Sequence, residues 1–579
     1  MLIVLIHWLY LSGLSLVWGF AGMNSLHKLM HFPLQHPLSP LWLVLVGLSL
    51  QTAFAGCLSL IMPLSLLAET LVIGLGLMAS ALYWKDLKSY MAFYFGKWVQ
   101  LPWAFHLASL ALLFIALLKA AGPIEIPDDG EYFLPLIRWI ETYAVVPGTA
   151  LVHDRMGYNA AFHLICALFG QRFLLETGLY DLNGLLFIWL NAWFLSGLLN
   201  LWQKPLARFS LLPFIKIGGM LFFFRDLLSS ADSDYVYIFA GIALLVLAVK
   251  KYQDSTFFQW DNRWTAYFVI ALFLTTCKII AAFYLFVLIP AFLLLLSRRN
   301  WLHAASLTAV ALFCLLPWFL RNYYLSGYLI YPLFGIDLFQ PDWKVPREVA
   351  QGNLVYIAEH AKTQIVRYEY AYAQAQELKW PVWLPLWIQH TQETLMGKIC
   401  LWGWPMALVI IAIKGISNWK IWSKKIDLLW LAFITLGFVS YWFFNFPALR
   451  FAWPWLLLGF ALATAILESV FIAQFGGHGR RIIAIGATIL LTLLLGRGLV
   501  HSVLENPDWK AYWLFPCPPT ELQAFETKGL GKGVQLIISQ DESCWGALPP
   551  CMPAYWNSNL ELRGASIQDG FRLKTAGHE

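Results

Sequence analysis

Apolar runs long enough to cross a lipid bilayer recur along nearly the whole chain, and this feature limits its possible folds more than any other. Each run holds roughly 17 to 25 residues, the length that a helix needs to span the hydrocarbon core. Of the 579 residues, 60% are hydrophobic and 12% are charged, against roughly 25% charged in a soluble domain. A soluble core cannot bury so much apolar surface, so we predict a membrane protein.

The runs predict an all-α polytopic fold with about fourteen transmembrane helices. The first run lacks a basic flank and a small-residue cleavage site, which predicts a retained helix and not a signal peptide. Two neighbouring helices divide at Lys278, and a single kinked helix is the alternative. The predicted spans are 2–21, 41–60, 63–83, 101–120, 179–201, 210–224, 234–249, 264–278, 280–297, 301–320, 396–413, 426–444, 452–472 and 482–500.

The distribution of Lys and Arg predicts how these helices are oriented, because cytoplasmic loops are enriched in both. Alternate short loops carry most of the basic residues, whereas the opposite short loops hold only Arg225, Lys278 and Arg450. We therefore expect both termini and the large loops on the outer side of the cytoplasmic membrane. The predicted segments are N-terminal helices 1–120, a first large outer loop 121–178 with interfacial helices, a transmembrane core 179–320, a second large outer loop 321–395, transmembrane helices 396–500 and a small outer C-terminal cap 501–579.

Several function classes are disfavoured by the same charges and by missing motifs. The net charge is +6, but the basic residues are dispersed between apolar runs, which argues against a nucleic-acid partner. The chain has no Walker loop, no G-x-G-x-x-G opening a helix after a strand, and no Cys/His set with zinc spacing. We predict no defined metal site, although a divalent metal as cofactor stays open.

The first large outer loop opens with an acidic motif, Pro127-Asp128-Asp129-Gly130-Glu131-Tyr132. Carboxylates this close raise one another's pKa, which suits a general base or a metal ligand. The alternative is a solvated helix cap, with Asp128 or Asp129 at the N-terminus of the following helix. The two roles are compatible.

Other polar residues on the predicted outer side are candidates for binding a polar headgroup. Each has a plainer alternative as an interfacial residue, a membrane anchor or an internal ion pair, such as Arg225 with Asp226. Lys278 either snorkels at a helical turn or holds a phosphate, and Arg321 and Arg450 follow or precede aromatic belt residues. The candidate binding residues are Tyr132, His153, Arg155, Asn159, Arg225, Asp226, Lys278, Arg321, Asn322 and Arg450.

The C-terminal segment contains a pair of cysteines that could staple it. Cys544 and Cys551 would close a short loop in an oxidising compartment, and free thiols are the alternative. The apolar stretch 534–539 has strand-like character. We expect a small α/β or loop-rich cap over the site.

These motifs resemble those of the GT-C glycosyltransferases, multispanning enzymes that take a sugar from a polyprenyl-phosphate or polyprenyl-pyrophosphate donor at the outer membrane face. More closely, the chain is similar to an uncharacterised bacterial family of GT-C-like membrane proteins. That family has a D-x-G-x-Y element, matched by Asp128, Gly130 and Tyr132, before a basic-Trp helix. The other matching segments are 138–139, 146–148, 155–159, 317–332, 450–452, 544–545, 550–551 and 562–564.

The resemblance implies a GT-C-like core with three added N-terminal helices, and inverting glycosyl transfer with Asp128 as the matching acid. Asp129 and Glu131 would orient the acceptor or tune Asp128, and Arg225, Lys278, Arg321 and Arg450 would neutralise the departing phosphate. The donor would be a polyprenyl-phosphate-linked sugar, and the partners would be membrane lipid and envelope-assembly proteins. The alternatives are a polysaccharide polymerase or ligase, a transporter or flippase for a lipid-linked or anionic solute, and an accessory structural subunit of a membrane complex.

Overall fold

The computed structural model of the protein is mostly helical, with a few short strands near the C-terminus. It describes residues 1–30, 38–175, 177–203, 227–363, 378–417, 426–505, 508–522, 524–540, 543–556 and 559–574. All structural statements below concern these residues.

Within the described ranges, nine helices are long and apolar enough to cross a membrane, or up to eleven if each of two sharply bent helix pairs is counted as one span. The protein is therefore a multi-pass helical membrane protein. The predicted count of about fourteen stays a prediction, and the predicted span 210–224 lies outside the described residues. The nine are Leu2–Met30, Pro40–Ser59, Trp103–Ala120, Leu182–Leu199, Asp234–Gln253, Trp301–Ser326, Met396–Ile413, Ile426–Asn445 and Ala484–Leu504.

The bent pairs and several shorter helices complete the bundle and its connections. Leu66–Leu82 and Trp84–Val99 meet at 88°, and Ile279–Phe286 meets Ile289–Ser297 at 52°. A helix at Asn262–Cys277 ends directly before Lys278, which has an extended backbone, so the predicted division at Lys278 is present. The remaining helices are Leu134–Thr142, Thr149–Val152, Phe162–Leu168, Arg172–Leu175, Arg347–Thr363 and Trp380–Glu393. The span Met396–Ile413 consists of the helices Leu395–Lys398 and Trp404–Ser417 with a π-helical turn, Ile399–Gly403, between them.

The first two helices are packed into the body of the bundle and do not form a separate layer. A Cβ on Gly19 would lie 1.8 Å from the Leu43 carbonyl oxygen, and one on Gly47 would lie 1.8 Å from that of Ser15. Such close backbone approach needs small residues and is typical of helix pairs in membranes. At the N-terminal end of the first helix, Trp8 Nε1 donates to the Asp181 carbonyl at 3.0 Å. The first helix is thus packed closely on the second and joined to the chain at Asp181.

The bundle end at which Asp128, Asp129 and Glu131 lie is called the acidic end below. The helical element Leu449–Glu505 begins there, because Arg450 pairs with Asp234. The chain beyond Glu505 reaches the Ala121 carbonyl through Cys517 N–H at 2.8 Å. The two predicted spans 452–472 and 482–500 both lie within this element.

The C-terminal segment contains short β-strands, so the fold is not all-α there. Strands β1 (Phe525–Gly531) and β2 (Val534–Ser539) pair antiparallel, and β3 (Cys551–Pro553) joins β2 in parallel. Strands β4 (Leu560–Leu562) and β5 (Phe571–Leu573) form an antiparallel pair. Cys544 and Cys551 are joined by a disulfide, and the strand predicted at 534–539 is present.

Candidate functional site

The acidic motif folds as one wide helical turn that sends its three carboxylates in different directions. Asp129–Phe133 forms a single π-helical turn, which continues into the Leu134–Thr142 helix. Such turns are rare and occur often at functional sites. Asp129 is fully buried, Glu131 is largely buried, and the Asp128 side chain is 42% exposed. Only Asp128 of the three is therefore open to a ligand.

Glu131 and Arg155 form a buried ion pair beside Asp128. Arg155 Nη1 lies 2.6 Å from Glu131 Oε2, and both side chains are 9% exposed. The other carboxylate oxygen, Oε1, accepts from the Tyr555 hydroxyl and lies 3.6 Å from His153 Nε2. Burial alone would raise the pKa of Glu131, but hydrogen bonds and charge from His153, Arg155 and Tyr555 outweigh it and hold the pKa below its usual range.

Asp128 shares Arg155 with Glu131. Arg155 Nη1 is 3.5 Å from Asp128 Oδ1, and the Tyr132 hydroxyl donates to Asp128 Oδ2 at 3.5 Å. The Arg155 guanidinium also lies 5.5 Å from the centre of the Tyr132 ring. Burial raises the pKa of Asp128 despite the opposing charge of Arg155. A half-exposed carboxyl of raised pKa suits proton exchange with a bound hydroxyl.

Asp129 faces the interior and ties the motif to the chain preceding the Asp234–Gln253 helix. Its Oδ1 accepts from Ala231 N–H at 2.9 Å, and within the described part of the chain its Oδ2 has no hydrogen-bond partner. Burial raises the pKa of Asp129 to about 7. This carboxyl is positioned to hold the loop in place and not to meet a ligand.

Replacing Asp129 with Asn is expected to change the pH dependence of stability. The pKa of Asp129 is raised from 3.8 to about 7 on folding, so folded protein binds more protons than unfolded protein between these values. Its contribution to stability is therefore present below about pH 4 and is lost as pH rises to about 7. The introduced amide mimics the neutral acid, so the stability of Asp129→Asn relative to wild type should increase across this window and then level off. Denaturation in detergent at pH 4 to 9 measures this difference, and a pH-independent difference would contradict the assignment.

Two cations, Lys278 and Arg450, converge on one buried carboxylate at the acidic end. Lys278 Nζ pairs with Asp234 Oδ1, and Arg450 Nε lies 3.2 Å from Asp234 Oδ2. The Asp234 side chain is only 5% exposed, whereas those of Lys278 and Arg450 are 24% and 40% exposed. Both cations also interact electrostatically with Asp128. Asp234 thus holds both cations, and part of each cationic side chain stays exposed.

Three further candidates are more completely buried than Lys278 and Arg450, namely Arg321, Asn322 and Asn159. Arg321 Nε donates to Asn159 Oδ1 at 3.1 Å, and its Nη1 donates to Ser59 Oγ at 3.0 Å. Asn159 has a left-handed backbone, with φ of 47°, and exchanges two hydrogen bonds with Trp318. Asn322 is fully buried. These residues fix the loop onto the Trp301–Ser326 helix, and the structure does not bring Arg321 to Asp234.

The predicted candidates Arg225 and Asp226 lie outside the described residues. The ring of His153 lies nearly parallel to that of Tyr132 in the motif, with the ring centres 6.4 Å apart. Among the described residues, no group of three or more His, Cys, Asp or Glu side chains is arranged to hold a metal ion.

Three contributors to the site were absent from the predicted set. Asn353 contacts Asp154 and Tyr158, and the Tyr356 ring lies 5.4 Å from the Arg155 guanidinium. Both lie on one face of the amphipathic Arg347–Thr363 helix, and their spacing of three residues was an available signal. Tyr555, the third, had none, because it is 424 positions from Glu131.

The long apolar helices and the polar site at one end of the bundle define a multi-pass helical membrane protein. The chain belongs to the family described as Domain of unknown function (DUF8201), whose model matches residues 1–457. No curated protein matches the chain, and no solved structure matches it. The matched range includes the N-terminal helices and the acidic motif, while segment 501–579 lies beyond it.

Proposed function

We propose that the protein is a membrane glycosyltransferase that moves a sugar from a polyprenyl-phosphate or polyprenyl-pyrophosphate donor to an acceptor hydroxyl, with inversion. This proposal rests on one observation at the acidic end: a carboxylate that can act as a base lies near cations that can bind a phosphate. One half-exposed carboxylate, Asp128, lies within electrostatic reach of two partly exposed cations, Lys278 and Arg450. Displacement at a sugar phosphate requires both a base and a stabilised phosphate leaving group.

In the proposed reaction Asp128 acts as general base. It accepts the proton of the acceptor hydroxyl while that oxygen forms a bond to the anomeric carbon on the face opposite the phosphate. The bond between the anomeric carbon and the phosphate oxygen breaks, and the electron pair leaves with the lipid phosphate. Arg155 and Tyr132, which contact Asp128, orient the carboxylate toward the acceptor.

Lys278 and Arg450 meet the developing charge on the phosphate. Because Asp234 holds both of them, their ammonium and guanidinium groups are positioned before the donor binds, which is the arrangement that stabilises a transition state most effectively. Arg321 is assigned no phosphate contact, since its donors go to Asn159 and Ser59. We place the acidic end on the outer side of the cytoplasmic membrane, from the bias of Lys and Arg toward the other loops.

The test is transfer of a radiolabelled sugar by purified protein in detergent and in proteoliposomes. A panel of polyprenyl-phosphate and polyprenyl-pyrophosphate sugars would be incubated with hydroxyl acceptors, including cell-envelope glycans, and heat-inactivated protein is the control. We expect label in the acceptor and release of the polyprenyl phosphate or pyrophosphate in equal amounts. Movement of the lipid across the bilayer without transfer would favour the flippase alternative and overturn the proposal, as would the absence of transfer across the whole panel.

A further inference from the structure

The chain from Cys544 onward is docked directly on the acidic motif. The backbone N–H groups of Cys544 and Trp545 both donate to the Gly130 carbonyl oxygen, each at 2.9 Å. A Cβ on Gly130 would lie 2.7 Å from the nearest Trp545 ring atom. The glycine inside the acidic motif therefore leaves room for the indole of a residue far away in the sequence.

Tyr555 extends this contact into the charged cluster. Its hydroxyl donates to Glu131 Oε1 and lies 3.1 Å from His153 Nε2. The neighbouring Trp556 donates through Nε1 to the Leu151 carbonyl at 3.2 Å, which holds the segment against the chain that leads into His153. The Tyr555 hydroxyl thus bridges two predicted site residues.

The bridge reaches Asp128 through one guanidinium. Glu131 uses Oε1 for Tyr555 and Oε2 for Arg155, so turning its carboxylate would disturb both contacts. Arg155 Nη1 lies 2.6 Å from Glu131 and 3.5 Å from Asp128. A hydroxyl that fixes Glu131 therefore also fixes the cation beside Asp128.

We propose that Tyr555 is a positioning residue for the acidic site, and that the site is incomplete without segment 544–556. The proposal rests on the proposed function only in taking Asp128 as the reacting carboxylate. It adds to the site a part of the chain that lies beyond the family match.

Carboxyl labelling tests the position of Glu131 without reference to activity. Full-length protein in detergent would be treated with a water-soluble carbodiimide and an amine, and the labelled Asp and Glu residues quantified by mass spectrometry. The variants are Tyr555→Phe and, as control, Tyr324→Phe, which removes a partly exposed hydroxyl that makes no hydrogen bond among the described residues. We expect labelling of Glu131 to rise several-fold in Tyr555→Phe alone.

A second variant and a pH profile complete the test. Trp545→Ala removes the indole from Gly130 and should also raise Glu131 labelling, whether or not Tyr555→Phe can be purified. In the transfer assay, Tyr555→Phe should shift the acid limb of the rate, which Asp128 sets, to lower pH. Glu131 loses a hydrogen bond that favours its charged form, and its negative charge then raises the pKa of Asp128 less. Unchanged Glu131 labelling in both variants would overturn the proposal. If wild-type protein transfers no sugar, the proposed function fails while the labelling result still decides the role of Tyr555.

Discussion

Replacing Asp128 with Asn is expected to slow sugar transfer by roughly 10² to 10⁴-fold, the contribution of a positioned general base. Asparagine keeps the shape of the side chain and can still accept from the Tyr132 hydroxyl, which lies 3.5 Å from Asp128 Oδ2. It cannot take the proton of the acceptor. Because Lys278 and Arg450 stay on Asp234, KM for the donor should change far less than kcat. Initial rates of label transfer at several donor concentrations separate the two.

The matched control is Asp342→Asn. Asp342 is a half-exposed carboxylate paired with Arg563 at 2.9 Å, outside the contacts that hold Arg155. We expect its removal to leave the rate unchanged. A wild-type rate in Asp128→Asn would assign the base to another group, and equal losses in both variants would indicate a general effect of removing acidic charge.

Replacing Arg155 with Leu is expected to lower the free energy of unfolding by about 3 to 5 kcal/mol, the usual cost of removing one partner of a buried ion pair. The variant leaves the Glu131 carboxylate buried without its cation, because Arg155 Nη1 lies 2.6 Å from Glu131 Oε2 in the wild-type protein. It also removes the guanidinium that lies beside the Tyr132 and Tyr356 rings. Chemical denaturation in detergent micelles, at fixed protein and detergent concentrations, measures the loss.

Two further variants show whether the stranded charge is the cause. The double variant Arg155→Leu with Glu131→Leu should recover much of the loss, because both charges are then absent. Arg563→Leu breaks an exposed pair with Asp342, whose side chains are 25% and 43% exposed, and should cost no more than about 1 kcal/mol. A double variant as unstable as Arg155→Leu alone would mean that packing and not charge explains the effect.

Hydropathy and short-range motifs predicted those features that depend on neighbours in the sequence. The membrane-spanning helices follow from runs of apolar residues, and the break at Lys278 from a single charge inside such a run. Asp128, Asp129 and Glu131 were found because three carboxylates in four residues are conspicuous next to a predicted span. Their separate roles were not predictable, since one wide helical turn decides that Asp129 is buried and Asp128 is half-exposed.

Arg321 and Arg450 have similar surroundings in the sequence but different contacts in the structure. Each lies near a predicted outer helix end beside aromatic residues, so both were assigned to the phosphate. In the structure Arg450 meets Asp234, whereas Arg321 turns inward to Asn159 and Ser59. The direction of a side chain around a helix axis depends on which helices pack against it, and local sequence does not specify those partners.

The sequence by itself determined that lipid surrounds this chain, since its apolar surface exceeds what a soluble core can bury, and it located the acidic motif at the end of a span. Tertiary structure alone decided which charges share a site. It placed Lys278 and Arg450 on Asp234, and it brought Tyr555 to Glu131. The reason is physical: burial of a charge is tolerated only beside a partner, and folding brings such partners together across hundreds of residues.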